Sequence, residues 1–79
     1  MLFNKTLIIG LGLIGGSFAK TLRKYNLSQE IFACDIDDET LNLANLEKVI
    51  DKGFDNLQIL SPEELNEFDL IVVATPLSS

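Results

Sequence analysis

Apolar residues fall along this chain in two alternating patterns. Short runs of mainly apolar or β-branched residues, of the kind that form strands, lie at residues 6–9, 31–34, 57–60 and 70–74. Between them, apolar positions three and four residues apart predict helices at residues 13–25 and 38–47, and a short third helix runs from Pro62 to near Phe68. The chain is therefore predicted to alternate strand and helix, which is typical of an α/β protein with a parallel sheet.

The faces of these helices also follow from the pattern. Four large apolar side chains recur at helical spacing on the first helix and are expected to pack on the sheet: Ile14, Phe18, Leu22 and Tyr25. The corresponding face of the second helix is formed by Leu41, Ala44 and either Leu46 or Val49. Before the third strand, the Lys-Gly pair at residues 52–53 predicts a turn.

The third helix and the fourth strand have recognisable ends. Ser61 is predicted to be the N-cap of the helix, Pro62 its first residue, and Glu64 the partner of Ser61 in a capping box. The run at residues 70–74 is typical of a parallel strand that is buried on both faces. Pro76 ends this strand, because proline has no amide hydrogen for the strand ladder.

The order of the elements predicts the topology of the sheet. Right-handed crossovers between parallel strands place the first strand in the centre and the fourth beside it, in the order 3-2-1-4. A complete doubly wound sheet has two such halves and needs about twice the length of this 79-residue chain. We therefore expect a Rossmann-type α/β fold that is partial, with residues 1–79 forming the first half of the sheet.

Three glycines follow the first strand at the G-x-G-x-x-G spacing of a dinucleotide-binding turn: Gly10, Gly12 and Gly15. Gly10 allows the tight turn that leaves the strand, and Gly15 lets the following helix lie close to the sheet. Gly12 has no side chain, so a diphosphate can approach the backbone at this point. Because three glycines at this spacing also occur in ordinary strand-turn-helix connections, the motif needs support from its context.

The helix that follows the glycines supplies partial positive charge for such a ligand. The amides of Leu13 and Ile14 lie in its first turn, where N–H groups have no partner within the helix. The helix dipole adds to their positive potential. A dinucleotide diphosphate can therefore be held there without a lysine or arginine side chain.

Asp35 ends the second strand about twenty positions after Gly15, where a Rossmann unit places the acid that accepts hydrogen bonds from the adenosine ribose. The alternative is that Asp35 caps the next helix and that the glycines only turn the chain. A phosphate on this ribose would lie beside Asp35 with no Lys or Arg among the next several residues. NAD is therefore expected as the cofactor in preference to NADP.

The carboxyl ends of the first, second and fourth strands meet at one edge of such a sheet, and ligands of open α/β sheets bind at this edge. Residues 10–15, Asp35 and Thr75 are therefore expected to line one crevice. The predicted cofactor-binding residues are Gly10, Gly12, Leu13, Ile14, Gly15, Asp35 and Thr75. Neither a catalytic residue nor a metal ligand is predicted.

The charge and the apolar content narrow the possible partners. The net charge is −6 and only six residues are Lys or Arg, which argues against a nucleic-acid partner. The longest apolar run is far shorter than the roughly 18 residues of a membrane span, and the chain begins with a strand rather than a signal peptide. We therefore expect a cytoplasmic location and no membrane partner.

Residue types that bind metals are scarce. With no histidine and a single cysteine, a zinc site is not expected, and Cys34 is predicted to be a buried apolar residue. Three carboxylates, Asp37, Asp38 and Glu39, begin the second helix, where the helix dipole favours them. Because consecutive helical positions point in different directions, a solvated first turn is favoured over a metal site.

Three segments of the chain together resemble the amino-terminal NAD-binding portion of prephenate dehydrogenase. They are Gly-Leu-Gly-Leu-Ile-Gly-Gly-Ser at residues 10–17, Asp35 at the end of the second strand, and Asp-Leu-Ile-Val-Val-Ala-Thr-Pro at residues 69–76. The resemblance covers the whole chain. Enzymes of this family oxidatively decarboxylate prephenate to 4-hydroxyphenylpyruvate in tyrosine biosynthesis and pass hydride to NAD or NADP.

The resemblance implies the cofactor-binding piece of an oxidoreductase. The family's catalytic histidine and its basic prephenate-binding residues lie beyond the matched part, and this sequence contains no histidine. The catalytic helical domain is therefore expected to be absent from residues 1–79, and these residues alone to be inactive. A small-molecule substrate is expected only for the full-length protein. The alternative is a noncatalytic nucleotide-sensing module, such as the regulatory domains of potassium channels, which share the glycines and the acid.

The fourth strand is expected to lie at an edge of the sheet. Residues 70–73 have high β-propensity and no internal charge, a combination that favours pairing with another chain. We therefore expect copies of the chain to self-associate through this edge. The alternative is that Asp69 and Pro76, on either side of the run, keep the chain monomeric.

Overall fold

A computed structural model describes residues 1–75 of the chain. Within them, strands and helices alternate as β1 (Phe3–Ile9), α1 (Leu13–Lys24), β2 (Ser28–Cys34), α2 (Asp38–Leu46), β3 (Lys52–Phe54), a 3-10 helix (Leu57–Ile59), α3 (Pro62–Asn66) and β4 (Leu70–Val73). The strands form one parallel sheet in the order β3-β2-β1-β4. This confirms the predicted partial Rossmann-type fold and its strand order. Pro76, predicted to end β4, lies outside the described residues.

The sheet separates two apolar clusters. On one face, α1 and α2 cover a core that contains Ile8, Leu11, Ala19, Leu22, Ile31, Ala33, Leu41 and Ile50. On the other face, Leu7, Cys34 and Phe54 pack with Leu65 of α3 and with Phe68. Cys34 is buried as predicted, and this burial raises the pKa of its thiol. β1 lies at the centre because its residues are buried by neighbouring strands and by helices on both faces.

The third strand is not the segment that the sequence predicted. Residues 57–60 were expected as a strand, but Leu57–Ile59 form a 3-10 helix capped by the Asn56 side chain, which accepts a hydrogen bond from the Gln58 amide at 2.9 Å. The third strand is Lys52–Phe54, so the turn predicted at residues 52–53 is also wrong. Gly53 lies close to α2, since a Cβ there would lie 2.9 Å from Leu41 Cδ2 and this side chain would have to shift.

The buried side of α1 also differs from the predicted one. Gly15, Ala19 and Leu22 face the sheet. Three predicted core residues are instead exposed over 76%, 39% and 62% of their surface: Ile14, Phe18 and Tyr25. Small residues line the inner side because they let the helix approach the sheet closely. Next to α2, Val49, which follows the end of the helix, packs against the core and Leu46 does not, as one of the two alternatives predicted.

Carboxylates hold the amino ends of the strands in line. Asp69 accepts hydrogen bonds from the amides of Asn4 at 2.6 Å and Lys5 at 3.1 Å, which ties β4 to β1. Asp51 accepts a hydrogen bond from the Ile31 amide at 2.7 Å and is paired with Arg23 of α1 at 2.8 Å. These contacts set the register of the strands and therefore the level at which their carboxyl ends stop.

β4 is an edge strand in the part of the chain that the structure describes. Leu70 and Val72 are half-buried, but Ile71 and Val73 on the opposite face are exposed over 44% and 61% of their surface. The prediction that this strand is buried on both faces is therefore wrong within residues 1–75. None of the helices in this range is long and apolar enough to cross a membrane.

Candidate functional site

The carboxyl ends of β1, β2 and β4 stop at the same level. Ile9 lies opposite Cys34 of β2 and Val73 of β4. Beyond this row, the Gly10 amide donates to the Cys34 carbonyl and the Ala74 amide donates to the Ile9 carbonyl, both at 2.8 Å. The chain segments that follow these three strands therefore begin side by side, as expected from the sequence.

Gly10 and Gly15 are required by the packing of the protein itself. Gly10 has a φ of +95°, and a Cβ on it would lie 2.7 Å from Cγ2 of Thr75. A Cβ on Gly15 would overlap the Gly10 carbonyl oxygen and lie 3.3 Å from the Cβ of Ala74. The first turn of α1 therefore rests directly on the turn that leaves β1, and Thr75 closes the other side of that turn.

Gly12 is different, because nothing in the described residues requires a glycine there. Its φ is −55°, and a Cβ built on it would have no heavy atom within 4 Å. The space in front of Gly12 is open. A ligand can therefore come close to the backbone at Gly12 without meeting a side chain.

The amino end of α1 has no side-chain cap. Gly12 is the N-cap residue, the first turn contains no acidic residue, and the first intrahelical hydrogen bond runs from the Gly16 amide to the Gly12 carbonyl at 2.8 Å. Among the described residues, no acceptor pairs with the amides of Leu13 or Ile14. These amides and the helix dipole therefore make a positive site that suits an anion.

Asp35 lies between the glycine-rich loop, residues 10–15, and the turn before α2. Its Oδ2 accepts a hydrogen bond from the Leu11 amide at 2.7 Å, and its Oδ1 accepts one from the Asp37 amide at 2.9 Å. The Asp35 amide donates to the Phe54 carbonyl at 3.1 Å. Asp35 is thus fixed at the same edge of the sheet as the glycine-rich loop.

Asp37 rather than Asp35 caps α2. The Asp37 carboxylate accepts hydrogen bonds from the Glu39 amide at 3.1 Å and from the Thr40 hydroxyl at 2.8 Å. The bond from Thr40 and those from the backbone amides hold the pKa of Asp37 below its usual value. The alternative in which Asp35 caps the helix is therefore not the arrangement that the structure shows.

The bond between Asp35 and the Leu11 amide was not foreseen from the sequence. The Leu11 amide and the Asp35 carboxylate are 24 positions apart in the chain. No spacing rule connects a backbone amide in a loop to one side chain on another strand. Only the pairing of β1 with β2 brings the two groups together.

A cavity of about 390 Å³ borders the glycine-rich loop. It runs between α1 and α2 and is lined by residues such as Gly12, Leu13, Lys20, Thr40 and Leu43. Neither Asp35 nor Thr75 lines it. The cavity therefore shares only Leu11, Gly12 and Leu13 with the predicted crevice at the strand ends.

Comparison with known proteins agrees with this geometry. The model of the TrkA-N domain family matches residues 6–78, a range that contains the glycine-rich loop, Asp35 and Thr75. This chain belongs to the TrkA-N domain family. The TrkA-N domain therefore accounts for nearly the whole chain, including every residue predicted to contact a cofactor.

This TrkA-N domain is also similar to a solved enzyme. Prephenate dehydrogenase from A. aeolicus, in complex with hydroxyphenyl propionate and NAD+, is 32% identical in sequence and superposes with a TM-score of 0.71. The match covers 92% of this chain and 24% of that chain. The chain thus spans about a quarter of the length of the enzyme that it matches.

Proposed function

We propose that this TrkA-N domain is the NAD-binding portion of a dehydrogenase similar to prephenate dehydrogenase. The observation that carries the proposal is the open space at Gly12, next to the uncapped amino end of α1. The solved enzyme with NAD+, which is 32% identical, supports NAD as the cofactor. An oxidoreductase as the parent protein agrees with both findings.

The proposed binding mode gives each loop residue a separate task. The diphosphate lies against Gly12 and accepts hydrogen bonds from the amides of Leu13 and Ile14. Asp35 accepts hydrogen bonds from the hydroxyl groups of the adenosine ribose. Gly10 and Gly15 shape the turn, and Thr75 supplies the wall of the crevice on the β4 side.

The proposed reaction is the oxidative decarboxylation of prephenate to 4-hydroxyphenylpyruvate in the cytoplasm. NAD supplies the hydride acceptor when it is bound, and the residues of this chain bind and orient it. The groups that act on the substrate are proposed to lie in a catalytic helical domain outside residues 1–79. The 32% sequence identity to prephenate dehydrogenase supports this reaction. The hydroxyphenyl propionate bound in that enzyme's structure also supports it.

Two measurements test the proposal. Calorimetry with the 79-residue chain should show NAD binding, while the same material should give no prephenate-dependent NADH above a control without protein. A longer protein that contains this chain should produce NADH when prephenate is added. Equal NADH formation with and without prephenate in that protein would contradict the reaction.

The nucleotide-sensing alternative predicts a different result in the same experiment. A sensing module would bind NAD in the longer protein and form no NADH with prephenate. The family match allows either function, because it concerns the domain that binds the nucleotide. The solved dehydrogenase favours the enzyme.

Self-association through β4 is a further part of the proposal. Within residues 1–75, Ile71 and Val73 expose apolar surface on a strand with an unpaired edge, which favours pairing with a second copy. Sedimentation of the wild type should show a mass that rises with concentration, and Val73→Lys should remain monomeric. Ile59→Lys is the matched control, since Ile59 and Val73 are both 61% exposed. A monomeric wild type at all concentrations would rule the interface out.

A further inference from the structure

The Leu11 amide lies in the middle of the glycine-rich loop and has one partner, the carboxylate of Asp35. The N–O distance is 2.7 Å, which is short for an amide donor and typical of a bond to a charged acceptor. This bond joins the loop after β1 to the end of β2.

Leu11 is held on three sides. Its side chain is 5% exposed and belongs to the core beneath α1 and α2. Its carbonyl oxygen faces α1 so closely that a Cβ on Gly16 would lie 3.1 Å from it. Its amide is bound to Asp35. Gly12, the next residue, is held through its carbonyl, which accepts the Gly16 amide at 2.8 Å, and its position also depends on how firmly Leu11 is held.

The Asp35 carboxylate has enough acceptor capacity for two tasks at once. An ionised carboxylate offers about four lone-pair sites on its two oxygens. The amides of Leu11 and Asp37 use one site on each oxygen. One site on each oxygen remains, which matches the two hydroxyl groups of an adenosine ribose.

We infer that Asp35 is a positioning residue for the glycine-rich loop as well as an acceptor for the ribose. Through Leu11 it fixes the backbone at Gly12, where the diphosphate lies in the binding mode proposed above. Part of the contribution of Asp35 to NAD affinity is therefore independent of its contacts with the ribose. An acid that acted through the ribose alone would add nothing to the affinity for a ligand without ribose hydroxyls.

The test compares two ligands on two proteins. The ligands are NAD and an NAD analogue whose adenosine ribose lacks both hydroxyl groups, and the proteins are the wild type and Asp35→Ala. Because a hydrogen bond to a charged group is lost, Asp35→Ala should bind the analogue about five- to tenfold more weakly than the wild type does. Equal affinity of the two proteins for the analogue would overturn the inference.

Asp37→Ala is the matched control. It removes the same charge two positions away and the cap of α2, but its side chain has no contact with the glycine-rich loop. Its affinity for the analogue should stay within about twofold of the wild type, as expected for an exposed charge screened by salt. A loss equal to that of Asp35→Ala would show that charge or the α2 turn, rather than the Leu11 bond, is responsible.

Hydrogen exchange in the ligand-free protein gives a second, independent measurement. The Leu11 amide should exchange about tenfold or more slowly in the wild type than in Asp35→Ala, because exchange requires this bond to open. The amide of Ile8, in the buried centre of β1, reports whether the variant is folded. Equal exchange at Leu11 in two folded proteins would overturn the inference.

The outcomes separate this inference from the proposed function. If the wild type binds NAD and the analogue equally well, the ribose contact proposed for Asp35 is wrong, while the loss in Asp35→Ala still decides the positioning role. If the wild type binds neither ligand, the proposed cofactor site is wrong. The exchange at Leu11 then still decides whether Asp35 holds the loop.

Discussion

The amino ends of the three α-helices are built in two different ways. α2 is capped by the Asp37 side chain, and α3 has a capping box in which Ser61 and Glu64 bind each other's backbone amides. Both have acidic residues in the first turn. α1 begins at Gly12, without a side-chain cap and without an acid in its first turn.

The difference shows where the protein leaves positive potential for a ligand. At α2 and α3 the free amides and the dipole are satisfied by the chain's own side chains. At α1 they face open space beside Gly12. With a net charge of −6, the molecule as a whole repels a diphosphate, so this local site must supply the attraction.

The largest expected effect is the loss of stability on substitution of Gly15, which lies on the inner side of the first turn of α1. Gly15→Ala places a methyl group on the Gly10 carbonyl oxygen, and separation of the helix from the sheet should lower the free energy of unfolding by about 2–4 kcal/mol. Denaturant titration followed by circular dichroism measures it. Gly16→Ala is the control, since its Cβ has a milder contact, at 3.1 Å from the Leu11 carbonyl oxygen. Equal stability of the wild type and Gly15→Ala would contradict the packing argument.

The second prediction concerns a substitution at Gly12 that gives the amino end of α1 a side-chain cap like that of α2. Gly12→Asp adds a carboxylate that can cap the helix and repel a diphosphate, so NAD affinity should fall about fiftyfold while the fold is kept. Calorimetry measures the affinity. Gly12→Ala separates the effect of bulk from that of charge, and it should leave the stability unchanged because its Cβ meets no protein atom within 4 Å. Unchanged NAD binding by Gly12→Asp would show that the diphosphate lies elsewhere.

The third prediction concerns the carboxylate beside this open helix end. A phosphate on the adenosine ribose would meet the negative charge of Asp35, so NADP should bind about tenfold more weakly than NAD. Asp35→Ala should reduce the difference between the affinities for NAD and NADP. Titration of both by calorimetry decides the point. NADP binding as tight as that of NAD would overturn the preference.

The smallest expected effect is the change in stability with pH that comes from the capping carboxylates of α2 and α3. Hydrogen bonds from Thr40 and from the Glu39 and Thr40 backbone lower the pKa of Asp37, and hydrogen bonds from Ser61 lower that of Glu64. A carboxyl whose pKa is depressed by folding stabilises the fold above its unfolded pKa, and this stabilisation is lost as the pH falls through the folded value. The melting temperature should therefore fall between about pH 5 and pH 3, as these carboxyls bind protons.

Two substitutions isolate this acid effect. Asp37→Asn and Glu64→Gln remove the titrating groups and keep their size, so the double variant should show a flatter dependence of melting temperature on pH. The uncapped end of α1 contributes nothing to this range, because its first turn contains no acid. A pH dependence in the double variant as steep as that of the wild type would assign the acid sensitivity to other carboxyls.

Local signals predicted the parts of the molecule in which neighbouring residues decide the structure. The capping box of Ser61 and Glu64 is formed as expected, and so is the turn from β1 into α1 through Gly10. Asp35 lies at the end of β2, at the predicted edge. These features depend on contacts within a few residues, or on backbone angles that few residue types adopt, so the sequence alone reveals them.

Features that depend on distant contacts were missed. α1 has apolar residues on more than one side, and only its packing against the sheet selects Gly15 and Ala19 as buried while Phe18 stays partly exposed. β3 contains just three residues and lacks a hydrophobic pattern, so its pairing with β2 makes it a strand. The intrinsic strand propensity of such a short segment is too weak to predict a strand from the sequence alone.

The sequence by itself determined the Rossmann-type order of strands, the positions of the three glycines and the acid at the end of β2, since these follow from spacing and backbone geometry. The tertiary structure alone decided that Gly12 faces open space while Gly10 and Gly15 are packed. It alone also joined Asp35 to the Leu11 amide. Both depend on how strands far apart in the chain are brought together, and no local pattern encodes such a distance.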